Sequence, residues 1–417
     1  MPVSTRKTNQ KEESTMLRRF RPLCLLAAAA LSAGALAACG SDDAADTGTS
    51  TSAGETAAAK LPGAYEQPLG GEAQARAVAE GEKLGTSLGK TELKPRTLGI
   101  LHTSAASPAA AGLQKATQQA AEALGWKTVV CDGQGINAQI RRCLDNLLSQ
   151  KVDGVADIAV DASIIGDGLR RAKKQGVPVV AYGGLVPKDP LFPAQYAPGD
   201  AQMAELGAKW LVDKLGGEGK VFMNVFKAGQ WSELREEAAT KAFESTPGIE
   251  IIGKHSIDYA KFNQDIRQAT SAAITANPDV KGFFGTVDFV PQPVAQAIQQ
   301  QSVSFDDVES VAFYATDLNM SLLRQGQLDA VAHAALNAAG WILVDQFAEF
   351  FARDREFQVG STFLGAQPDE LPLDFMKPFM VTKEDLPAKG APVPPEDYVS
   401  FFMAKWAKEF GTKAPPA

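Results

Sequence analysis

Histidine is scarce in this chain: three among 417 residues, His102, His255 and His333. None sits in a zinc-ligand spacing such as H-E-x-x-H, and the two cysteines of the mature domain, Cys131 and Cys143, do not make a structural zinc site without further ligands, so no metal is expected. There is no G-x-S-x-G elbow and no phosphate-cradling loop of the Walker type. No constellation names a reaction, and the chain reads as a non-enzyme without a cofactor. Basic excess is missing too. Lys and Arg number 41 against 49 Asp and Glu, a formal net charge of −8. That balance lacks the surface that neutralises phosphates, so nucleic acid is excluded as a partner.

What is present begins at the N-terminus. Arg18, Arg19 and Arg21 precede an apolar run from Leu23 to Ala38 that ends "LAACG". At about 16 residues the run is short for a bilayer span, which takes ~20. A basic flank, an apolar stretch and small residues before the cut describe an export signal. Leu36-Ala37-Ala38-Cys39 resembles a bacterial lipobox, which implies that Cys39 is lipidated and becomes the first mature residue. Met16 is a second candidate start. Behind Cys39, "GSDDAADTGTSTSAGETAAAK" is small and polar, without apolar periodicity, and reads as a flexible tether. The expected location is the extracytoplasmic face of the cell membrane, held there by lipid.

Export changes the cysteine arithmetic. Cys24 leaves with the signal and Cys39 carries the lipid, leaving Cys131 and Cys143 as an even pair in an oxidising compartment. They bracket "CDGQGINAQIRRC". Its "GQGINA" formally fits G-x-G-x-x-A, but it follows the second strand of the series rather than the first, so it reads as a tight turn at a binding edge. Ile140, Cys143, Leu144, Leu147 and Leu148 form one helical stripe, which turns Cys143 towards the sheet while Cys131 ends the preceding strand. A disulfide pinning strand to helix is expected, worth about 3 kcal/mol for so short a loop. Gln134 and Asn137 are left to face a ligand.

From Thr97 the pattern alternates between short β-rich runs and longer helical ones. "TLGILHT", "KTVVC", "VDGVADIAV" and "GVPVVAY" are separated by helical stretches from about Pro108 to Leu124, Ala138 to Gln150 and Ala162 to Gln175. A second set begins near Asp200 with "GKVFMNVF", "EIIGKHSI", "GFFGTV", "SVAFYA" and "DAVAHAA". Such alternation argues parallel sheets covered on both faces. "VPKDPLFPAQYAPGD" marks a first crossing between domains, and "AQPDELPLDFMKP" before "PFMVT" a return crossing and last strand. "EDYVSFFMAKWAKEF" reads as a terminal amphipathic helix packed on its own domain. Asp157 is the odd residue, a carboxylate inside a strand buried on both faces, in need of a partner, a proton or a ligand. His102 ends the first strand, at the edge where open α/β sheets place ligands.

The stretches "LGILHTSAASPAAAGLQKATQQAAEALGWKTVV", "CDGQGINAQIRRCLDNLLSQKVDGVADIAVDASI", "LRRAKKQGVPVVAYGG", "NPDVKGFFGTVD" and "LLRQGQLDAVAH", in that order, resemble the sugar-type periplasmic binding proteins, the solute receptors of ABC importers in the ribose-binding branch. The resemblance runs from about Thr97 to Thr382. It implies an α/β fold of two Rossmann-like, three-layer αβα lobes joined by a three-crossing hinge and closing on a ligand. The expected divisions are a signal peptide over 1–38, a tether over 39–60 and an N-terminal extension over 61–95. The N-terminal lobe follows over 96–197 with 335–370, the C-terminal lobe over 198–334 with 371–390, and a tail helix over 391–417.

The chain departs from that branch where the ligand is gripped. Ala109 and Ala110 stand where two phenylalanines are usual, Gly183 and Gly184 where an Asp-Arg pair is usual, and Val287-Asp288 where Asn-Asp is usual. Aromatic walls are expected instead from among Tyr182, Trp231, Tyr259 and Tyr314. The candidate ligand residues are His102, Ser104, Gln134, Asn137, Asp157, Asp161 and Tyr182 in the first half, and Trp231, Arg235, Tyr259, Asp288 and Asp317 in the second. The expected function is capture of a small polar solute, a sugar or polyol, by a monomeric lipoprotein that delivers it to an ABC permease. The alternative is a sensory component presenting a solute to a membrane kinase or chemoreceptor.

Overall fold

Strand–helix alternation from Thr97 onward builds two parallel sheets. The computed structural model describes residues 70–360, 367–387, 394 and 396–416; the export signal, Cys39 and the tether lie outside the described residues. In chain order the elements open with α1 (Gly71–Leu88), β1 (Thr97–His102), α2 (Pro108–Ala123), β2 (Lys127–Asp132), α3 (Asn137–Ser149), β3 (Gly154–Ile158), α4 (Ala162–Gln175), β4 (Val179–Tyr182) and β5 (Gln195–Tyr196). Next come α5 (Asp200–Lys214), β6 (Glu218–Val225), α6 (Gln230–Glu244), β7 (Gly248–Ser256), α7 (Phe262–Ala276), β8 (Val280–Gly285), α8 (Pro291–Gln300) and β9 (Glu309–Phe313). The chain closes with α9 (Asp317–Gln325), β10 (Ala330–His333), α10 (Leu336–Arg353), β11 (Phe379–Thr382) and α11 (Tyr398–Phe410).

The first sheet has the order β2-β1-β3-β4-β5 and the second β11-β10-β9-β8-β6-β7. All pairs are parallel except β10 with β11. Each sheet starts in its interior, steps outward once and returns past its first strand. The strand order therefore reverses between β1 and β3 and again between β6 and β8, and the crevice outside the carboxyl ends there is where such sheets hold ligands. Expected and observed helices agree closely: α4 has the anticipated bounds, and the α3 stripe from Ile140 to Leu148 is buried against the sheet. The short β5, which adds an edge strand inside the first crossing, went unseen in a Pro- and Gly-rich stretch. The sulfurs of Cys131 and Cys143 stand 2.11 Å apart with Cα atoms at 5.4 Å.

The chain passes between the sheets three times: after β5, again between β10 and α10, and a third time before β11. α10 packs on α2 of the first sheet although it follows the last parallel strand of the second. Among the described residues no helix is long and apolar enough to cross a membrane.

α1 and α11 lie parallel to one another, and α11 packs against α10 beside the first sheet. Glycine makes this approach possible. A Cβ on Gly81 would stand 2.3 Å from the Phe401 carbonyl oxygen, and one on Gly85 would stand 2.4 Å from that of Lys405. Beneath the pair, the Lys405 ammonium is fully buried and donates to Asp345 at 2.7 Å, Glu349 at 3.0 Å and Glu409 at 2.9 Å. The three carboxylates form a ligand-like grouping, but the ammonium that touches all of them is its cation. Breaking such a buried ion pair by removing one partner costs about 3–5 kcal/mol, because the remaining charge is stranded. Burial opposes the charge on Lys405, yet Asp345, Glu409 and Glu349 raise its pKa.

Arg353 at 3.1 Å and Arg355 at 3.8 Å also answer Glu349, whereas Asp345 and Glu409 share the Lys405 ammonium. Burial first, then the repulsion of Asp345 and Glu349, pushes Glu409 up from its ordinary 4.5 to about 8. The folded protein thus keeps a proton that the unfolded chain releases, so this group's contribution to stability is complete below pH 4.5 and is lost as pH rises through about 8. Melting curves recorded from about pH 6 to pH 9 should show a falling midpoint, and Glu409→Gln should flatten that fall.

Candidate functional site

The carboxyl edges of the two sheets meet, and the residues that meet there come from the connections following β1, β4, β6, β7, β8 and β9. Asp288, just after β8, reaches across to the N-terminus of α2. Its Oδ2 accepts from the Ser107 hydroxyl at 3.2 Å and from the Ala109 N–H at 3.1 Å. Ser107 is itself the N-cap of α2, with Pro108 at the first helical position. A carboxylate at a helix N-terminus is favoured by the unsatisfied N–H groups and the dipole there. Burial nevertheless raises the pKa of Asp288, with Ala109 and Ser107 opposing the shift.

Two further contacts span the edges. The Tyr259 hydroxyl bonds to Ser104 at 3.1 Å, and the Trp231 N–H donates to the Leu185 carbonyl at 3.1 Å. The Trp231 ring packs against Gly184, where an added Cβ would lie 3.1 Å from ring carbons; at Gly183 a Cβ would meet Leu113 Cδ2 at 2.3 Å. Around Trp231 and Tyr259 lies a pile of rings from the second sheet's loops. Phe226 stands 6.0 Å from Trp231 and 5.3 Å from Tyr259, and Phe289 packs on both Phe226 and Tyr259 at 5.5 and 5.7 Å.

Arg235 is buried at the centre of the second edge. Its Nε donates to Asp200 at 2.8 Å, Nη1 to the Thr286 carbonyl at 3.0 Å and Nη2 to the Tyr314 hydroxyl at 2.8 Å. Aromatic rings enclose it: Phe313 lies 4.3 Å from the guanidinium carbon, Trp231 4.7 Å and Tyr314 5.2 Å. Burial raises the pKa of Asp200, with the Arg235 charge pulling the other way.

Next to this network a cavity of about 270 Å³ opens between the N-terminal turns of α2, the β9–α9 loop, His333 and the start of α10. Tyr314 is a wall of it and holds a left-handed backbone at φ 61°, rare for a bulky residue and costly by about 1–3 kcal/mol. His333 accepts the Ala315 N–H on Nδ1 at 3.0 Å, which leaves the neutral ring's hydrogen on Nε2. Burial pushes its pKa down to about 3, so the ring stays uncharged at neutral pH.

The structure brings together Ser104, Trp231, Arg235, Tyr259 and Asp288 at the edges, and Asp317 on the cavity wall. Other expectations need correction. Tyr182 is not a cleft wall: it is fully buried in the first sheet's core, and its hydroxyl pairs with Thr117 at 2.9 Å. Asp157 turns back to accept the Val160 N–H at 3.2 Å in the β3–α4 turn, and burial raises its pKa well above the usual range. Asp161 stands at the N-cap of α4, its pKa raised by burial and then by Glu233, and packs against Gly229 across the edges. His102 is fully buried at the end of β1, where burial lowers its pKa. Gln134 and Asn137 are exposed rather than enclosed. Sequence reasoning missed Ser107, Asp200, Phe226 and Phe289. Phe289 was the most legible of these, since it follows Asp288 directly at a strand end.

The periplasmic binding protein domain model matches residues 99–351. The ribose import binding protein of Bacillus subtilis is 22% identical over 255 residues, which cover 60% of this chain and 82% of that protein. Among solved structures, the 5-methylthioribose transporter solute-binding protein of Thermotoga lettingae superposes with a TM-score of 0.61 at 17% identity, over 70% of this chain and 88% of the other. A solute-binding protein of Burkholderia graminis in complex with D-arabinose gives 0.61 at 18%, over 71% and 98%. At these identities the superpositions speak for the fold.

Hydrogen bonds to a charged acceptor contribute about 1.5–3 kcal/mol, and two conformations of a protein commonly differ by only a few. Asp288→Ala should therefore shift the ligand-free protein towards a more open arrangement, seen as a larger radius of gyration in small-angle scattering. Asp132→Ala, which removes only local bonds to Ala105 and Gln134, should leave it unchanged.

Proposed function

The chain belongs to the periplasmic binding protein domain family, and from that premise we propose that it captures a small polar solute, a sugar or polyol, between its two lobes and delivers it to an ABC importer. The observation that carries this reading is the cavity at the meeting carboxyl edges, walled by α2 and α10 on one side and by Tyr314 and His333 on the other. The first lobe takes 96–197 with 335–370, and the second 198–334 with 371–390. A solute that touches both lobes binds the closed arrangement better than the open one, and this differential affinity drives closure. Ser104, Trp231, Tyr259 and Asp288 secure the closed edges, while Asp317, Tyr314 and His333 face the solute. No cofactor and no catalytic residue enters the reading.

Capture at a membrane transporter fits a receptor held beside its permease as a monomer. Cys39 carries the lipid, and the polar segment behind it serves as the tether to the extracytoplasmic face. Outside the cell, Cys131 and Cys143 form a covalent staple from the end of β2 to α3, supported by their 2.11 Å sulfur separation.

A thermal-shift screen of the soluble domain against sugars, polyols, nucleosides and amines tests capture. A ligand at 100 times its dissociation constant adds roughly 2.7 kcal/mol of stability. Shifts with sugars or polyols support the reading, whereas shifts only with aromatic or amine solutes would replace the substrate class. Cys39→Ser should release the full chain from the membrane fraction, and retention of that variant would sink the lipid anchor.

A further inference from the structure

The chemistry of the cavity narrows the solute, on the footing that the capture reading holds. Pockets for drug-sized ligands run ≈ 300–1,000 Å³, and at about 270 Å³ this one suits a smaller solute. Its surface is mostly carbon. The first turns of α2 supply Pro108, Ala109, Ala111 and Gly112, an apolar surface without a hydrogen-bonding side chain, which Leu318 and Leu336 continue; Lys115, further along α2, also lines the cavity. The polar groups are gathered elsewhere in the lining, at His333, Thr316 and Asn337, beside the Tyr314 ring.

Two charged side chains, Lys115 and Asp317, line the cavity, while the charged groups outside its lining are engaged with the protein. Arg235 donates to Asp200, Thr286 and Tyr314 and is enclosed by rings, and Asp288 is held by Ser107 and Ala109. A solute hydroxylated on every edge would lay hydroxyls against the stretch of α2 from Pro108 to Gly112, where no side chain accepts or donates, and a polar group buried without a partner is costly. A carbon edge placed there loses nothing and removes apolar surface from water.

We propose that the solute is a monosaccharide-sized molecule with one hydrocarbon edge, a deoxy or methyl-substituted sugar or polyol, which lies with that edge on the α2 wall and its hydroxyls towards Tyr314, Thr316 and His333. Tyr314 and Gly112 are then the residues that set specificity, Tyr314 by its backbone-fixed ring and Gly112 by the space it leaves. A Cβ at Gly112 would meet only Asn337 Oδ1, at 3.4 Å, an ordinary contact. A larger side chain there is accommodated by the fold while it fills the cavity.

The test compares matched sugars by titration calorimetry: 6-deoxygalactose with galactose, 6-deoxyglucose with glucose, and methyl glycosides with their parents, on wild type and Gly112→Val. One methyl-sized difference in an apolar pocket changes affinity by about ten-fold or more. The expected result is tighter binding of a deoxy or methylated member by at least that factor. Gly112→Val should weaken that binding about ten-fold or more while its ligand-free melting midpoint stays at the wild-type value. Equal or tighter binding of the fully hydroxylated parents would overturn this inference and leave solute capture standing, as would Gly112→Val binding the deoxy member unchanged. Failure of every sugar and polyol to bind would overturn capture itself, and this inference with it.

Discussion

The guanidinium of Arg235 is the constraint on which the second carboxyl edge depends. A cation buried among Phe313, Trp231 and Tyr314 must have its donors satisfied, because a buried charge without partners costs several kcal/mol. Its partners arrive from separate connections: Asp200 at the start of α5, Thr286 after β8 and Tyr314 after β9. Once Arg235 is paired, three loops have fixed positions relative to α6. Tyr314 is then held with its strained backbone, and Asp288, two residues beyond Thr286, is presented to the other sheet.

What the second edge presents, the first receives with backbone and small side chains. Ser107 and the Ala109 N–H take the Asp288 carboxylate, Leu185 takes the Trp231 N–H, and Gly184 leaves room for the Trp231 ring. The asymmetry is chemical as well as geometric. Aromatic surface belongs to the second lobe and close-packing small residues to the first, so the cavity between them has one ring-built wall and one wall of alanine, glycine and proline. Arg235 and Asp288 are answered by protein groups, and the cavity lining is mostly carbon with a few polar groups and the charged Lys115 and Asp317.

Two additions lie outside the matched family segment. α1 packs on α11 through Gly81 and Gly85, and α11 packs on α10 over the buried Lys405 cluster. The described residues nearest the N-terminus are thereby fastened to the first lobe.

Much of the architecture was legible. Periodicity located α4 and the α3 stripe, and strand–helix alternation required parallel sheets with ligand-side carboxyl edges. α1 was read only as an extension, because its buried face is Ala77, Gly81 and Gly85, small residues that leave no apolar signal. Polar residues near strand ends do gather at the edges, but their partners are not those the strand positions suggest. Asp157 and Tyr182 sit at the same level as the edge, yet one closes its own turn and the other bonds to Thr117 inside the core. Local pattern reports which residues lie near an edge, since that follows from the period of a strand and the start of a helix. Which polar group answers which was decided only by the tertiary structure: the partners of Asp288 and Arg235 lie far away in the chain, and a hydrogen bond between distant segments leaves no trace in the spacing of either.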